Sequence, residues 1–284
     1  MKIVRLGMTE SGLLFLTWAS KHLQLAPDVK KAISKNIISL MNWLYTTSGY
    51  YDKTVIGTKF NFDVRGLNKN FSDYIQHLAI AVKDCEQAQF YFHDGLIRSL
   101  YEQTKELFQT HYQISNFTLL NDTKFSSRIP TIFNYMKSRK VLIISAFSDI
   151  IEEQFNNGNV YKLELGFPEI QSVCTVTTPY CFLNNGPHNN YFETLDSIFN
   201  DVLTKDFDIA LLGCGAYGHM LTHKIHEMGK DAIYIGGCIT NIFGILSSRE
   251  REHTDLKINE YWITEIPERF RPANYKDIEN GCYW

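Results

Sequence analysis

The chain has 284 residues, of which 44% are hydrophobic and 21% are charged, and this composition excludes a disordered, collagen-like or disulfide-scaffold protein. The formal net charge is -3, from 28 Lys and Arg residues against 31 Asp and Glu residues. A chain without a broad basic field is not expected to hold nucleic acid by its phosphates.

Targeting and redox signals are sparse in this sequence. Arg5 and Glu10 interrupt the first apolar stretch, which argues against a signal peptide, and no apolar run reaches the roughly 18 residues of a membrane span. The six cysteines form no C-x-x-C pair, so zinc ribbons and thioredoxin-type sites are not expected. We therefore expect a cytoplasmic protein with reduced thiols.

The first half of the chain is dominated by helical patterns. Residues 1–10 begin as an apolar strand, and residues 11–45 have apolar residues at helical spacing, divided at Pro27. A turn is expected at residues 46–52, a helix at 70–83 and a strand at 88–92.

The second half alternates between strands and helices. The apolar run after Lys140 suits a parallel strand that is buried on both faces. Further strands are expected at residues 173–178, 208–213 and 231–237, with helices at 149–155, 191–203 and 219–228. This alternation predicts a Rossmann-like α/β fold, a mostly parallel sheet with helices on both faces. We expect one domain over residues 1–284 with two lobes, a helix-rich part (1–124) and a nucleotide-binding βαβ part (125–284).

A glycine-rich loop follows one of these strands. Gly213-Cys-Gly215-Ala-Tyr-Gly218 has G-x-G-x-x-G spacing between a predicted strand and a predicted helix. Gly213 permits the tight turn, Gly215 lets the backbone approach a phosphate, and the helix amino terminus receives the negative charge. The alternative is that the glycines only permit a tight turn.

The next strand argues against a dinucleotide site. A dinucleotide enzyme carries an acid about 20 residues after the loop, at the strand end, for the ribose hydroxyls. Here the strand ends in Gly236-Gly237-Cys238. The glycine pair instead suggests a second close approach of backbone to ligand.

Three histidines follow the loop at helical spacing. His219, His223 and His226 share one helix face, which is compatible with a metal site. A zinc site needs a further ligand motif, and none is evident. We favour a half-exposed helix face with His219 near the ligand.

The amino-terminal segment places an arginine, a glycine and a carboxylate at one strand end. Arg5 can bind a phosphate bidentately, Gly7 leaves room, and Glu10 can bind a metal or accept a proton. An ion pair at the end of a strand is the alternative.

The segment Ile3-Val-Arg-Leu-Gly-Met-Thr-Glu10 resembles the opening of bacterial glycosyltransferases with the GT-D fold, which reads roughly Ser-x-x-Arg-Phe-Gly-Asp-Gly-Glu. The Asp-x-Glu part is that family's proposed metal and sugar-nucleotide motif. Glu10 takes the place of the Glu, and Met8 replaces the Asp. The resemblance implies Mn2+ or Mg2+ with Glu10 as ligand, whereas Met8 argues against metal dependence.

The carboxy-terminal half is similar to a related group of bacterial and viral proteins. The similar segments are Leu212-Gly-Cys-Gly-Ala-Tyr-Gly218, Asp231-Ala-Ile-Tyr-Ile-Gly-Gly237, Asn259-Glu-Tyr-Trp262 and Gly281-Cys-Tyr-Trp284. A viral origin would place the protein in the host cytoplasm.

The resemblance implies a glycosyltransferase. Such an enzyme would move a sugar of the xylose, glucose or galactose type from a nucleotide-sugar, UDP-linked by preference, to a glycan acceptor hydroxyl, with inversion. Glu10 is the first choice of general base, Asp73 the second and His93-Asp94 a third. The nucleotide-sugar is expected to contact Arg5, Gly7, Thr9, Phe147, Ser148, Gly213, Gly215, Tyr217, Gly218, Gly236 and Gly237, with Phe147 stacked on the base and Ser148 donating to a phosphate.

Two other functions stay open. An NAD(P)-dependent oxidoreductase would use the glycine loop, although the ribose acid is missing. A non-catalytic nucleotide- or sugar-binding protein would keep the fold, and Met8 in the metal motif favours it. Tyr50, Tyr51, Trp262 and Trp284, if exposed, would form a platform for the acceptor sugar, although each residue type is more often found in the core.

Overall fold

The computed structural model describes residues 1–53, 69–92, 95–120, 125–251 and 255–284, without the side chains of residues 249 and 250. Within these residues, seven strands form a single parallel sheet in the order β3-β2-β1-β7-β6-β4-β5. The strands are Lys2–Leu6 (β1), Gln87–Phe90 (β2), Phe117–Leu119 (β3), Lys140–Ser145 (β4), Ser172–Thr177 (β5), Ile209–Gly213 (β6) and Asp231–Tyr234 (β7).

Helices cover both faces of the sheet, as the sequence predicts. They are Met8–His22 (α1), Pro27–Trp43 (α2), Lys69–Val82 (α3), Leu96–His111 (α4), Ile129–Met136 (α5), Ser148–Asn156 (α6), Tyr191–Leu203 (α7), Gly218–Glu227 (α8), Ile239–Ile242 (α9) and Ser248–Arg251 (α10). The Rossmann-like α/β fold is therefore confirmed. Among the described residues, no helix is both long enough and apolar enough to cross a bilayer.

Alternate residues of each strand build two separate cores. In β4, Leu142 and Ile144 belong to the core that α1, α2, α3, α4, α7 and α8 cover, whereas Val141 and Ile143 belong to the core that α5, α6, α9 and the carboxy-terminal segment cover. This two-sided burial explains the continuous apolar run in the sequence, because neither face of a covered parallel strand is exposed to water.

The amino-terminal half contributes three strands to this sheet. β1 lies between β2 and β7, with Ile3 opposite Gln87 on one side and Ile233 on the other. The strand expected over residues 1–10 is shorter than predicted, because α1 begins at Met8 directly after Gly7. The predicted helix at 191–203 has the expected limits, because Asn190 caps it by accepting hydrogen bonds from the backbone N–H groups of Phe192 and Glu193.

The carboxyl ends of the strands meet at one edge of the sheet. The chain leaves β1 for α1 on one face and leaves the adjacent β7 for α9 on the other, so the connections that follow these two strands diverge there. In open α/β sheets, such a divergence forms a crevice at the carboxyl edge in which ligands bind.

Candidate functional site

A cleft of about 320 Å³ lies at this carboxyl edge, between the ends of β1, β7, β6, β4 and β5. Nine of the predicted site residues line it, and they come from four separate segments of the chain. They are Arg5, Gly7, Thr9, Glu10, Phe147, Gly213, Gly215, Tyr217 and Gly237. The sheet topology thus brings together motifs that lie more than half of the chain apart.

Glu10 is the buried acid of the cleft. It lies in the first turn of α1 with 7% of its surface exposed. Its carboxylate folds back over Gly7, where a Cβ atom would lie 2.7 Å from Glu10 Oε2, so a side chain at position 7 would require the carboxylate to move. Burial raises the pKa of Glu10, and its own backbone N–H, the Arg5 charge and the Ser48 hydroxyl oppose that shift. A raised pKa suits a group that exchanges a proton near neutral pH.

Arg5 lies beside this acid, across the end of β7. Its Nη1 donates a hydrogen bond of 3.2 Å to the Ile235 carbonyl, and its buried Nε has no partner among the described residues. Gly236 has φ +79°, and a Cβ atom there would lie 1.8 Å from Arg5 Nη1. The close approach predicted at Gly236 is therefore an approach of Arg5 rather than of a ligand. Gly237 is exposed to the cleft, with no atom within 4 Å of its Cβ position.

The glycine loop forms the opposite wall of the cleft, and its glycines pack against the protein itself. Gly215 has φ +56°, and a Cβ atom there would lie 2.6 Å from the Ser48 carbonyl. Gly213 packs against Ile239, and Gly218 packs under the ring of Tyr234. The clearance attributed to a phosphate at Gly215 is thus filled by the segment Leu44–Ser48, a π-helical turn after α2.

Gly218 does not line the cleft, because it is buried at the first residue of α8. Its role in the structure is the close packing of helix on strand, which the third glycine of such loops commonly permits. Tyr217 does line the cleft, yet its hydroxyl donates a 3.1 Å hydrogen bond to the Gly49 carbonyl and its ring stacks on Tyr191.

Two other predicted residues do not reach the cleft. Ser148 is fully buried, and its hydroxyl is 2.6 Å from Thr177 Oγ1 and 3.3 Å from Asp149 Oδ1. Its hydrogen bonds therefore join α6 to the end of β5. Asp73 lies half-buried on α3 and is not brought together with Glu10. His93 and Asp94 lie outside the described residues.

The histidine face of α8 does not converge on the cleft. His219, expected near the ligand, is fully buried with its ring 5.4 Å from that of Tyr74, and burial lowers its pKa to about 3. His223 and His226 are half-buried. Among the described residues, no group of three or more His, Cys, Asp or Glu side chains could hold a metal ion.

The donor set of the cleft does not fit a divalent cation well. Mg2+ is typically bound through carboxylates and substrate phosphates. The carboxylates among the lining residues are Glu10 and Glu279, and Met8, which offers no oxygen ligand, lies at the cleft surface between Gly7 and Thr9. Glu10 itself faces the Arg5 cation and the Ser48 hydroxyl. We therefore derive no step through a metal.

Aromatic rings form the third wall. Phe147 lies 6.2 Å from the rings of both Tyr180 and Trp284, and Tyr180 lies 5.5 Å from Trp284. Tyr50, Tyr51, Trp262 and Trp284 are all buried, as is usual for these residue types, so they form no exposed platform for an acceptor sugar. The exposed aromatic residue at the cleft is Trp43, which is 52% exposed at the end of α2.

Two participants in this geometry could not be found from motifs. Ser48 contacts both Glu10 and Gly215, and only its position in the turn after α2 marks it. Arg128 lies beside Arg5 and hydrogen-bonds to Cys238, although no recognisable pattern surrounds it in the sequence.

Comparison with known proteins gives limited further information. No protein-family model matches the chain, and no curated protein matches it. A solved glycosyltransferase from Streptococcus sanguinis aligns over 95% of this chain and 90% of that chain, at 12% identity and a TM-score of 0.40.

Proposed function

We propose that this protein is a glycosyltransferase that moves a sugar of the xylose, glucose or galactose type from a UDP-sugar to a glycan hydroxyl, with inversion. The observation that carries this proposal is Glu10, a buried acid of raised pKa that lines a ligand-sized cleft beside Arg5. The resemblance of the segment from Ile3 to Glu10 to the opening of GT-D glycosyltransferases supports the same activity.

Arg5 and the glycine loop are the groups that would stabilise the leaving nucleoside diphosphate. Negative charge develops on that group as the bond to the sugar breaks, and pre-positioned donors lower the barrier most in a site that excludes water. Gly215 is exposed in the cleft, where it begins the short helical turn that leads into α8. Gly215 and Tyr217 of this turn line the same cavity as Arg5.

Glu10 would act as the general base. The acceptor oxygen attacks the anomeric carbon, the bond from that carbon to the diphosphate breaks, and the acceptor proton passes to the Glu10 carboxylate. One displacement of this kind inverts the anomeric centre and needs no covalent intermediate. The aromatic wall at Phe147 offers a stacking surface for the base, and exposed Trp43 offers one for a sugar.

The two alternatives make different demands on the cleft. An NAD(P) enzyme needs a ribose-binding acid at the end of β7, where Gly236 instead lies beneath Arg5. A non-catalytic binding protein would hold the nucleotide without using Glu10, and Met8 at the cleft surface favours that possibility.

A thermal-shift panel with UDP, GDP, dTDP, CDP and NAD, each with and without Mn2+, tests the proposal. We expect UDP to stabilise the protein, because a ligand that binds only the folded state raises the melting temperature. Arg5→Gln should lose this shift, and Arg269→Gln, an exposed arginine paired with Glu153, is the matched control that should keep it. Stabilisation by NAD alone would favour the oxidoreductase. UDP binding without sugar transfer from any UDP-sugar would favour the binding protein.

A further inference from the structure

A second cavity of about 300 Å³ lies on the face of the sheet opposite to α1, over strands β1, β2, β3 and β7. Its floor includes Ile3, Ile233 and Ile235, and α5 covers it with Thr131, Ile132 and Tyr135. The volume is at the lower end of the roughly 300–1,000 Å³ typical of ligand pockets, so it suits a small ligand.

The wall of this cavity is polar where a covered parallel sheet is normally apolar. In β2, Ala88 and Phe90 point into the core on the α1 side of the sheet. The alternating residues Gln87 and Gln89 point into the cavity on the other side. Gln89 lies opposite Arg5 of β1 and opposite Thr118 of β3. Three adjacent strands therefore present polar side chains in one row.

A directed chain of hydrogen bonds joins these side chains. Arg128 Nη1 donates to Gln89 Oε1 at 3.5 Å, Gln89 Nε2 to Gln87 Oε1 at 2.9 Å, and Gln87 Nε2 to Thr118 Oγ1 at 2.7 Å. Each primary amide has a second N–H and further acceptor capacity beyond these bonds. Such a row can both donate to and accept from the hydroxyl groups of a sugar.

Arg128 supplies a positive charge at one end of the row. Its buried Nε has no partner, and no carboxylate forms an ion pair with it, among the described residues. Burial lowers the pKa of Arg128, and the nearby Arg5 charge adds to that effect. An anionic ligand would offset both the cost of burying the Arg128 charge and its repulsion by Arg5.

Arg5, Arg128 and Cys238 separate this cavity from the cleft. Arg5 and Cys238 line the cleft, Arg128 lines the second cavity and hydrogen-bonds to Cys238, and Tyr234 borders both. A ligand in the second cavity would thus lie next to a nucleotide-sugar in the cleft rather than in place of it.

We propose that the cavity between β2 and α5 is a second binding site, for a small sugar that carries one acidic group. Its hydroxyls bind Gln87, Gln89 and Thr118, and its carboxylate or phosphate binds Arg128. The proximity of this ligand to a nucleotide-sugar rests on the proposed function, whereas the site itself does not.

Calorimetric titration with glucuronate, glucose 1-phosphate, ribose 5-phosphate and neutral glucose, together with the rate at which iodoacetamide alkylates Cys238, tests this site. We expect the acidic sugars to bind more tightly than glucose and to slow the alkylation of Cys238, with UDP present or absent. Arg128→Gln should weaken the acidic sugars about ten- to a hundredfold, the effect of one charged hydrogen bond, and leave glucose unchanged. Gln89→Leu should weaken both kinds of sugar, and Arg269→Gln should change neither.

Three results would overturn the proposal: binding of none of the four sugars, equal binding by the wild type and by both cavity variants, or competition of the sugars with UDP for the cleft. Circular dichroism establishes that each variant is folded. If the acidic sugars bind in an Arg128-dependent way and UDP does not bind at all, the second site stands and the proposed transferase activity fails.

Discussion

At the scale of single residues, the protonation of Glu10 is set by surroundings that act on its pKa in opposite directions. Burial disfavours the carboxylate, whereas Arg5, the Ser48 hydroxyl and the start of α1 favour it. Burial prevails, so the pKa lies above that of a free glutamate. The identity of this residue could be predicted from a motif, but its environment could not, because Ser48 reaches it from a turn 38 positions away in the sequence.

Glu10→Gln is expected to lower kcat by about 10²- to 10⁴-fold and to leave UDP binding intact, because it removes the base and keeps the shape. In the wild type, kcat/KM should fall as the pH drops through the raised pKa of Glu10, since only the carboxylate accepts a proton. A pH–rate profile with a UDP-sugar checks both points, with Glu102→Gln, at an exposed position of α4, as the control. Unchanged turnover in the Gln variant would remove Glu10 from the mechanism.

The substitution that lowers activity is expected to raise the stability of the folded protein at neutral pH. A carboxyl group whose folded pKa is raised binds more protons in the folded state than in the unfolded state, so stability declines as the pH rises from the unfolded pKa through the folded one. Glu10→Gln therefore should be more stable than the wild type at neutral pH, with a difference that disappears in acid. Such a gain would mark Glu10 as a residue retained for function at a cost in stability.

At the scale of elements, the glycine motifs show what a sequence can and cannot reveal. The spacing from Gly213 to Gly218 correctly places a turn between a buried strand and a helix at the edge of the sheet. The reason for each glycine lies in a distant segment: the Ser48 carbonyl above Gly215, and the Tyr234 ring above Gly218. Local patterns predict the backbone path, whereas the atoms that fill the space follow from tertiary packing.

Gly236 and Gly237 form a matched pair for testing this packing. Gly236→Ala would place a Cβ atom against Arg5 at a positive φ, so we expect a loss of about 1 to 3 kcal/mol in stability and weaker UDP binding as Arg5 is displaced. Gly237→Ala meets no atom within 4 Å and should change neither quantity by much. Urea unfolding and UDP titration of both variants give the comparison. Loss of UDP binding in the Gly237 variant alone would instead indicate that the ligand approaches the backbone there.

At the scale of the whole molecule, the two parts of the chain share one sheet. The buried runs of β4, β6 and β7 are readable in the sequence because both faces of each strand are apolar. β3 could not be read, since it spans three half-buried residues, and α5 and Arg128 lack a distinctive pattern. The position of β1 between β2 and β7 also depends on long-range pairing, although it decides how the cleft is assembled.

This shared sheet predicts a single cooperative unfolding transition for residues 1–284. β1 pairs with β7 and α8 packs across both strands, so the helix-rich part cannot unfold without exposing the core of the other part. The chain offers a reporter for each: Trp18 is buried in the first part, and Trp262 and Trp284 are buried in the second. In Trp262→Phe/Trp284→Phe and in Trp18→Phe/Trp43→Phe, the urea midpoint from tryptophan fluorescence should coincide with the midpoint from circular dichroism of the same variant. Separate midpoints within either variant would mean that the two parts fold independently and that the cleft forms only when they associate.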